Sequence, residues 1–504
     1  MQFRSRFLNS LLAVSLGLGL LSCQTKPTVV SIQPSPQPTV QTKPTASPTP
    51  VVEVTQPETA PTDLPLPQPS PTPVMEAPRN VVFIVVDSLR ADHLSSYGYS
   101  RQTTPNLDSW MINEGVRFEM AVPSASWTGP SNAALMTGKT PSILNATFET
   151  LTSSLQNQHT TLAEYLDNAG FFTAGFVNNP CLAGRFGYDQ GFDYYDDVFL
   201  KRKDISTSNK VRGDEVNSVV MDWMNNYWVN EKGEKPRLFL FLYYMEPHVW
   251  LAPPAPFNTM FDPDYTGPLT PEIFGTGEAA VKGELSVTER DIQHQAALYD
   301  GEITSWDAKF SQLMTYFDEI GLSKDTLFIL TGDHGEFLGE YGLWVHAFGM
   351  QQEVLQVPLL MKYPGAIPAG MSVAATVQTY DIMPTILDWV GVPLKDEIKA
   401  QSIRPLAQGI VAGDPSSPGR PAFSEINGVV DTGSWAYWQA PREDLYSVYQ
   451  DGWRYIYHAD QLASDELYKL NASSPYQTEN LLGAEPGRAE AMKALILEYF
   501  ALNP

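Results

Sequence analysis

The sequence predicts an α/β fold: helices on both faces of a parallel or mixed sheet, followed by a small C-terminal antiparallel-sheet subdomain. Three observations carry this reading. Short β-branched and aromatic runs recur through the 426 residues after Pro78, helical patterns lie between them, and the runs empty into polar loops. Apolar runs of about four to eight residues suit strands buried on both faces, the environment of a parallel sheet covered by helices. Sheets of this kind carry their chemistry in loops at the carboxyl ends of the strands.

The elements follow in order. Residues 1–23 hold Arg4 and Arg6, an apolar stretch from Phe7 to Leu21, and then Ser22 and Cys23. The segment resembles a bacterial lipoprotein signal, which implies cleavage before Cys23 and acylation of that cysteine. The mature protein is then expected to be extracytoplasmic and anchored to a membrane by lipid, facing the periplasm or the cell surface. Residues 24–78 contain fifteen of the 41 prolines among Thr, Ser, Gln and Val. Such a chain favours polyproline II, rising about 3.1 Å per residue, so this linker could reach roughly 170 Å. It reads as a tether.

Residues 79–423 read as the catalytic domain and 424–504 as the C-terminal subdomain. Strands are expected at Asn80–Val86, Leu238–Tyr244 and Leu327–Leu330, each a continuous apolar run. Residues 126–138 have the grammar of a loop entering a helix, with Gly129 as cap and Pro130 at the first helical position. Residues 379–390 form an amphipathic pattern that Gly391 and Pro393 terminate. The tail alternates aromatic segments at 453–457 and 466–470, then shows a helical pattern from about Gly487 to Leu502.

Composition narrows the function. The chain is 504 residues long and 43% hydrophobic, enough to bury a large core. Its 57 acidic against 32 basic residues give −25, which repels a phosphate backbone, and no basic cluster offsets it. No nucleic-acid partner is expected.

The chemistry concentrates in the loops: Asp87-Ser88 after the first strand, Glu246-Pro247-His248 after a middle one, and Thr331-Gly-Asp-His-Gly-Glu336 after a late one. Thr128 falls beside a helix N-terminus, where free amides and the dipole favour an anion. These motifs occur with Tyr97-Gly98-Tyr99, Thr104-Pro-Asn-Leu-Asp108, Leu-Met-Thr-Gly138, Gly191-Phe-Asp193, Tyr299-Asp-Gly-Glu302, Val357-Pro-Leu-Leu and Tyr363-Pro-Gly365. In this order they resemble the sulfatase branch of the alkaline phosphatase superfamily, across nearly all of the region after the linker. The resemblance implies an alkaline-phosphatase-like α/β/α sandwich and a divalent-metal enzyme.

Departures from the family pattern bear on mechanism. A typical sulfatase carries Cys-x-Pro-Ser-Arg, or Ser for Cys, whose first residue is oxidised to formylglycine. Here Thr128 holds that place and Asn132 the place of the arginine. Oxidising a secondary alcohol yields a ketone, so Thr128 cannot become formylglycine; it can attack directly as a metal-activated alkoxide. The usual paired aspartates are Asp87-Ser88, and Asn178 is expected in place of a substrate-binding lysine.

The metal ligands implied by the resemblance are Asp87, Asp333 and His334, with Thr128 bridging metal and substrate. Two carboxylates and one imidazole favour Mn²⁺ or Zn²⁺ for the single divalent ion, with Mg²⁺ or Ca²⁺ as other options. His248 matches a family histidine that binds the ester or protonates the leaving oxygen, and His346 is a second catalytic candidate. Lys139 is a candidate for holding substrate anions, as is Arg101. His93, His159, His294 and His458 read as structural or surface residues, and Cys181 as a small buried side chain.

The expected activity is cleavage of a phosphate ester, a diester foremost, by hydrolysis or transfer through Thr128. The substrate class is a phosphate or sulfate ester on a lipid head group, glycan or small molecule. A sulfatase acting without formylglycine is the alternative, and a catalytically degenerate glycan-binding lipoprotein is the rival outside enzymes.

Overall fold

The computed structural model describes residues 76–145, 154–197, 211–228, 233–269, 285–347, 349–410, 419–427, 443–461, 463–470 and 479–502. The signal segment with Cys23, and the linker up to residue 75, lie outside these residues. Among the described residues no helix is long and apolar enough to cross a membrane.

Among the described residues nine strands make the central sheet: β1 (Asn80–Val86), β2 (Val116–Val122), β3 (Phe172–Val177), β4 (Tyr194–Asp197), β5 (Leu238–Tyr244), β6 (Thr326–Gly332), and, after the short hairpin strands β7 (Phe337–Leu338) and β8 (Trp344–Val345), β9 (Val357–Lys362), β10 (Met371–Val373) and β11 (Val377–Gln378). Their order is β10-β2-β9-β6-β1-β5-β3-β4, with β11 also on β2. β1 is central and parallel to both neighbours, Val82 lying opposite Leu240 on β5 and Phe328 on β6. β9 runs antiparallel to β6 and β2, so the sheet is mixed. The three predicted strands are present, β6 one residue longer at its start and two at its end than its apolar core.

Alternation along β1 explains why its run is apolar throughout. Val82, Ile84 and Val86 enter one core layer, and Val81, Phe83 and Val85 enter the other. With both faces covered, neither parity tolerates a polar side chain. One layer is closed by α3 (Gly213–Asn226) and α4 (Glu289–Glu319), which contribute Trp223, Trp306 and Phe310. The other is closed by α1 (Thr128–Thr137), α2 (Leu162–Asp167) and α5 (Ile382–Val390), through Leu135, Leu166 and Trp389. Each large apolar side chain so buried contributes about 1.5–3 kcal/mol relative to exposure. α4 starts at a capping box of Thr288 and Asp291. α5 is preceded by a 3-10 turn at Thr379–Asp381 and stops at Gly391, whose φ of +73° suits a residue without Cβ.

The C-terminal region is a four-stranded antiparallel sheet of β12 (Ala422–Ile426), β13 (Leu445–Gln450), β14 (Trp453–His458) and β15 (Glu466–Lys469). α6 (Pro486–Phe500) covers one face through Met492 and Ile496. The other face sets Ile426, Leu445, Ile456 and Tyr468 against Trp127, Phe337 and Ala347, which flank the site described next. The expected boundary between residues 423 and 424 falls inside β12.

Candidate active site

The loops expected to carry chemistry meet at the carboxyl ends of β1, β5 and β6, where α1 begins. Asp87 follows β1, Asp333 and His334 follow β6, and all three are completely buried. His334 directs Nδ1 to the carbonyl of Gly335 at 2.9 Å and faces Asp87 Oδ1 and Asp333 Oδ2 with Nε2, 3.6 Å from each. One ligand atom from each of the three residues lies within 4.8 Å of the others. A separation of 3.6 Å is long for a hydrogen bond. It is close to the about 3.4 Å between two ligands that each sit about 2.1 Å from one tetrahedral ion.

Electrostatics points the same way. Burial pushes the Asp87 and Asp333 carboxyls above their usual range. Burial alone would lower His334, but the charges of Asp333 and Asp87 outweigh it and raise the imidazole. Among the described residues no Lys or Arg pairs with either carboxylate, so a divalent cation is the group this donor set fits.

The surrounding shell fixes these ligands. Tyr243, the penultimate residue of β5, donates its hydroxyl to Asp333 Oδ2 at 2.7 Å, and Asn132 Nδ2 donates to the same oxygen at 2.8 Å. Ser88, in the left-handed region at φ +59°, donates its backbone N–H to Asp333 Oδ1 at 3.2 Å and its hydroxyl to Asp87 Oδ1 at 3.1 Å. Asn179 Nδ2 donates to Asp87 Oδ2 at 2.6 Å. Gly335 has its place in the motif because a Cβ there would meet the carbonyl oxygen of Glu353 at 1.9 Å.

Thr128 is the first residue of α1, and its Oγ1 lies 3.3 Å from His334 Nε2. The expected cap is displaced: Trp127 occupies the N-cap position, Gly129 lies within the helix, and Pro130 is its third residue. A proline fits there because the first four N–H groups have no intrahelical partner. The serine of the motif, Ser131, donates to the carbonyl of Asp333 at 2.5 Å and so ties the helix to the metal-ligand loop.

His248 and His346 join this group. The His346 ring lies 4.4 Å from that of His334 and 4.8 Å from that of His248. Burial, then His346, pushes His248 down to about 3, and burial holds His346 well below the usual histidine value. The loop of His248 is braced by Glu246, which accepts from Gly213 N and Lys309 Nζ at 2.8 Å each.

Three expectations about the site are corrected. Asn178 does not face the cluster: its Nδ2 donates to the carbonyl of Val211 at 2.8 Å, and its neighbour Asn179 reaches Asp87 instead. Successive side chains leaving a strand point to opposite sides, and only coordinates say which of two adjacent asparagines faces inward. Lys139 lies beyond the far end of the ten-residue α1, about 15 Å of helix from Thr128. Its ammonium is held by Asp396 at 2.7 Å. Arg101 is likewise engaged, by Asp300 at 2.6 Å. Cys181 is half-buried, with burial and the charge of Asp87 pushing its thiol up to about 12, so it supplies no thiolate. Tyr243, Asn179 and the pairing of Glu336 with His346 were not foreseen; Glu336 alone carried a signal, as part of the quoted motif.

The family described as Sulfatase matches residues 79–392. The N-acetylglucosamine-6-O-sulfatase of Bacteroides thetaiotaomicron is 24% identical over 489 residues, covering 80% of this chain and 82% of the relative. Among solved structures, a phosphonate monoester hydrolase from Silicibacter pomeroyi superposes with a TM-score of 0.66 at 22% identity, covering 84% of this chain and 96% of that one. A structure in complex with its substrate D-glucosamine-2-N,6-O-disulfate gives 0.65 at 20% identity, covering 85% and 98%. The family and the fold define a hydrolase of sulfate or phosphate esters, and Asp87, Asp333 and His334 form a buried group able to hold the divalent metal that such enzymes use. The chain belongs to the Sulfatase family.

Proposed function

We propose that the protein hydrolyses a sulfate ester, a sulfated saccharide or small ester, with Thr128 as nucleophile. The observation that carries the reading is the 3.3 Å approach of Thr128 Oγ1 to His334 within the Asp87, Asp333 and His334 group. The names of the relatives, an N-acetylglucosamine-6-O-sulfatase among them, support sulfate over the phosphodiester expected from the sequence.

Asp87, Asp333 and His334 would hold the ion, Mn²⁺ or Zn²⁺ by donor type, and the ion would lower the pKa of the Thr128 hydroxyl and offset charge on the ester. The N-terminus of α1 favours the anionic group at the same point. Oγ1 bonds to sulfur as the bond from sulfur to the substrate's alcohol oxygen breaks. Thr128 loses a proton and the departing oxygen gains one. Water then cleaves the threonine ester, so that one water is consumed per turnover. His248 and His346 border this space as hydrogen-bonding groups.

A second reading has its own support. Threonine in place of the formylglycine precursor suits phosphorus chemistry, and one fold neighbour is a phosphonate monoester hydrolase. Nitrophenyl sulfate, nitrophenyl phosphate and bis-nitrophenyl phosphate, offered to the full chain with each of Mn²⁺, Zn²⁺, Mg²⁺ and Ca²⁺, separate the two. Fastest turnover of the sulfate supports the first reading; diester turnover without sulfatase activity replaces it with the second. Failure with all three substrates and all four ions would sink both.

The signal segment and proline-rich linker support attachment outside the cytoplasm through a lipid on Cys23, which is part of the same proposal.

A further inference from the structure

Glu336 ends the Thr-Gly-Asp-His-Gly-Glu motif but is not one of the grouped metal-ligand residues. Its side chain is completely buried, and Oε1 lies 3.1 Å from His346 Nδ1. The contact is built into the hairpin. β7 and β8 pair Phe337 with Val345 and Leu338 with Trp344, so Glu336 and His346 are the next opposed residues in the register.

The backbone around His346 is held in an unusual conformation. Val345 and Ala347 both have φ of +70°, the left-handed region, where a β-branched valine is rarely found. Such a conformation persists only when its surroundings over-determine it, and such sites cluster where a side chain must be aimed. The surroundings are present: Ala347 N donates to the carbonyl of Ser126 at 2.9 Å, two residues before Thr128, and Ala347 packs with Trp127 and Phe337. His346 is thereby stitched to the loop that delivers Thr128.

We propose that Glu336 is a positioning residue: by holding Nδ1 of His346 it fixes the imidazole against His334, with Nε2 turned to the ester group beside Thr128. This rests on the reading that an ester is cleaved at Thr128. The hydrogen bond orients the ring whichever of its two atoms carries the shared proton. An amide at position 336 can donate or accept and should therefore preserve the orientation, whereas a methyl group cannot.

The test uses the full-length chain loaded with its preferred ion, and the ester it turns over fastest. Glu336→Ala should lower kcat by about tenfold or more with KM little changed, the usual scale for losing a partner that orients an active-site group. Glu336→Gln should restore most of it, and metal content should match the parent in both. In a double-mutant cycle, Glu336→Ala should cost nothing further once His346 is already alanine. Crystal structures supply a readout independent of activity: the His346 ring should turn away in Glu336→Ala and stay in place in Glu336→Gln. An unmoved ring in Glu336→Ala, or full additivity in the cycle, overturns the proposal. A fully active Thr128→Ala enzyme instead overturns the underlying reading, and the ring orientation still decides what Glu336 does.

Discussion

The hydroxyl of Thr128 lies 3.3 Å from Nε2 of His334, although 206 positions separate them in the chain. The start of a helix has been brought to the end of a strand, with two buried carboxylates within reach of the same imidazole nitrogen. Everything proposed about catalysis depends on that approach.

Thr128→Ala removes the oxygen and leaves the helix start and the ligands intact. Turnover should fall by at least about a thousandfold while substrate still binds. Thr128→Ser should retain measurable activity, because a primary hydroxyl can make the same attack. Mass spectrometry of enzyme quenched during turnover should find the transferred group on residue 128; finding it on His248 would call for another mechanism.

Removing a ligand differs from loosening one. Asp333→Ala should lose the ion and nearly all turnover, by elemental analysis and assay. Tyr243→Phe deletes only the 2.7 Å hydrogen bond to Asp333 Oδ2, so metal affinity should weaken by about 10- to 100-fold and excess metal should recover much of the rate. Asp333→Ala protein that retains a full complement of metal would move the site elsewhere.

The C-terminal sheet carries a pH-dependent contact. Burial alone would lower His458, but the hydrogen bonds its ring donates to Glu466 at 3.3 Å and Glu443 at 2.8 Å, and the charges of those carboxylates, raise it above the ordinary value. Asp465 accepts from its backbone N–H at 3.0 Å. A raised folded-state pKa stabilises fully below the unfolded value of about 6.5, and that stabilisation is lost as pH rises through the folded value. His458→Gln should therefore lower the melting temperature more at pH 6 than at pH 9. An equal drop at both would mean that the charge contributes nothing.

Anchoring is tested separately from chemistry. Cys23→Ala should move the protein from the membrane to the soluble fraction after processing, with the ester-cleaving activity retained. Continued partition with membranes would refute the lipid anchor.

The strands were legible because their cause is local. A run such as Val81 to Val86 is apolar at both parities only if both faces are covered, and that is readable without coordinates. Gly391 closing α5 and the aromatic alternation of β14 are signals of the same local kind. The motifs likewise marked Asp87, Thr128, Asp333, His334 and His248, with His346 a separate candidate, and the fold gathers all six. What the sequence could not decide was direction and reach. Whether Asn178 or Asn179 turns toward Asp87 depends on how a strand ends, and whether Lys139 serves the pocket depends on which end of α1 faces it. Tyr243 looks like one more aromatic in a buried strand until its hydroxyl is seen on Asp333, 90 residues away. Composition and periodicity are properties of neighbours along the chain; a hydrogen bond between Glu336 and His346 is a property of a register, and only the folded hairpin sets that register.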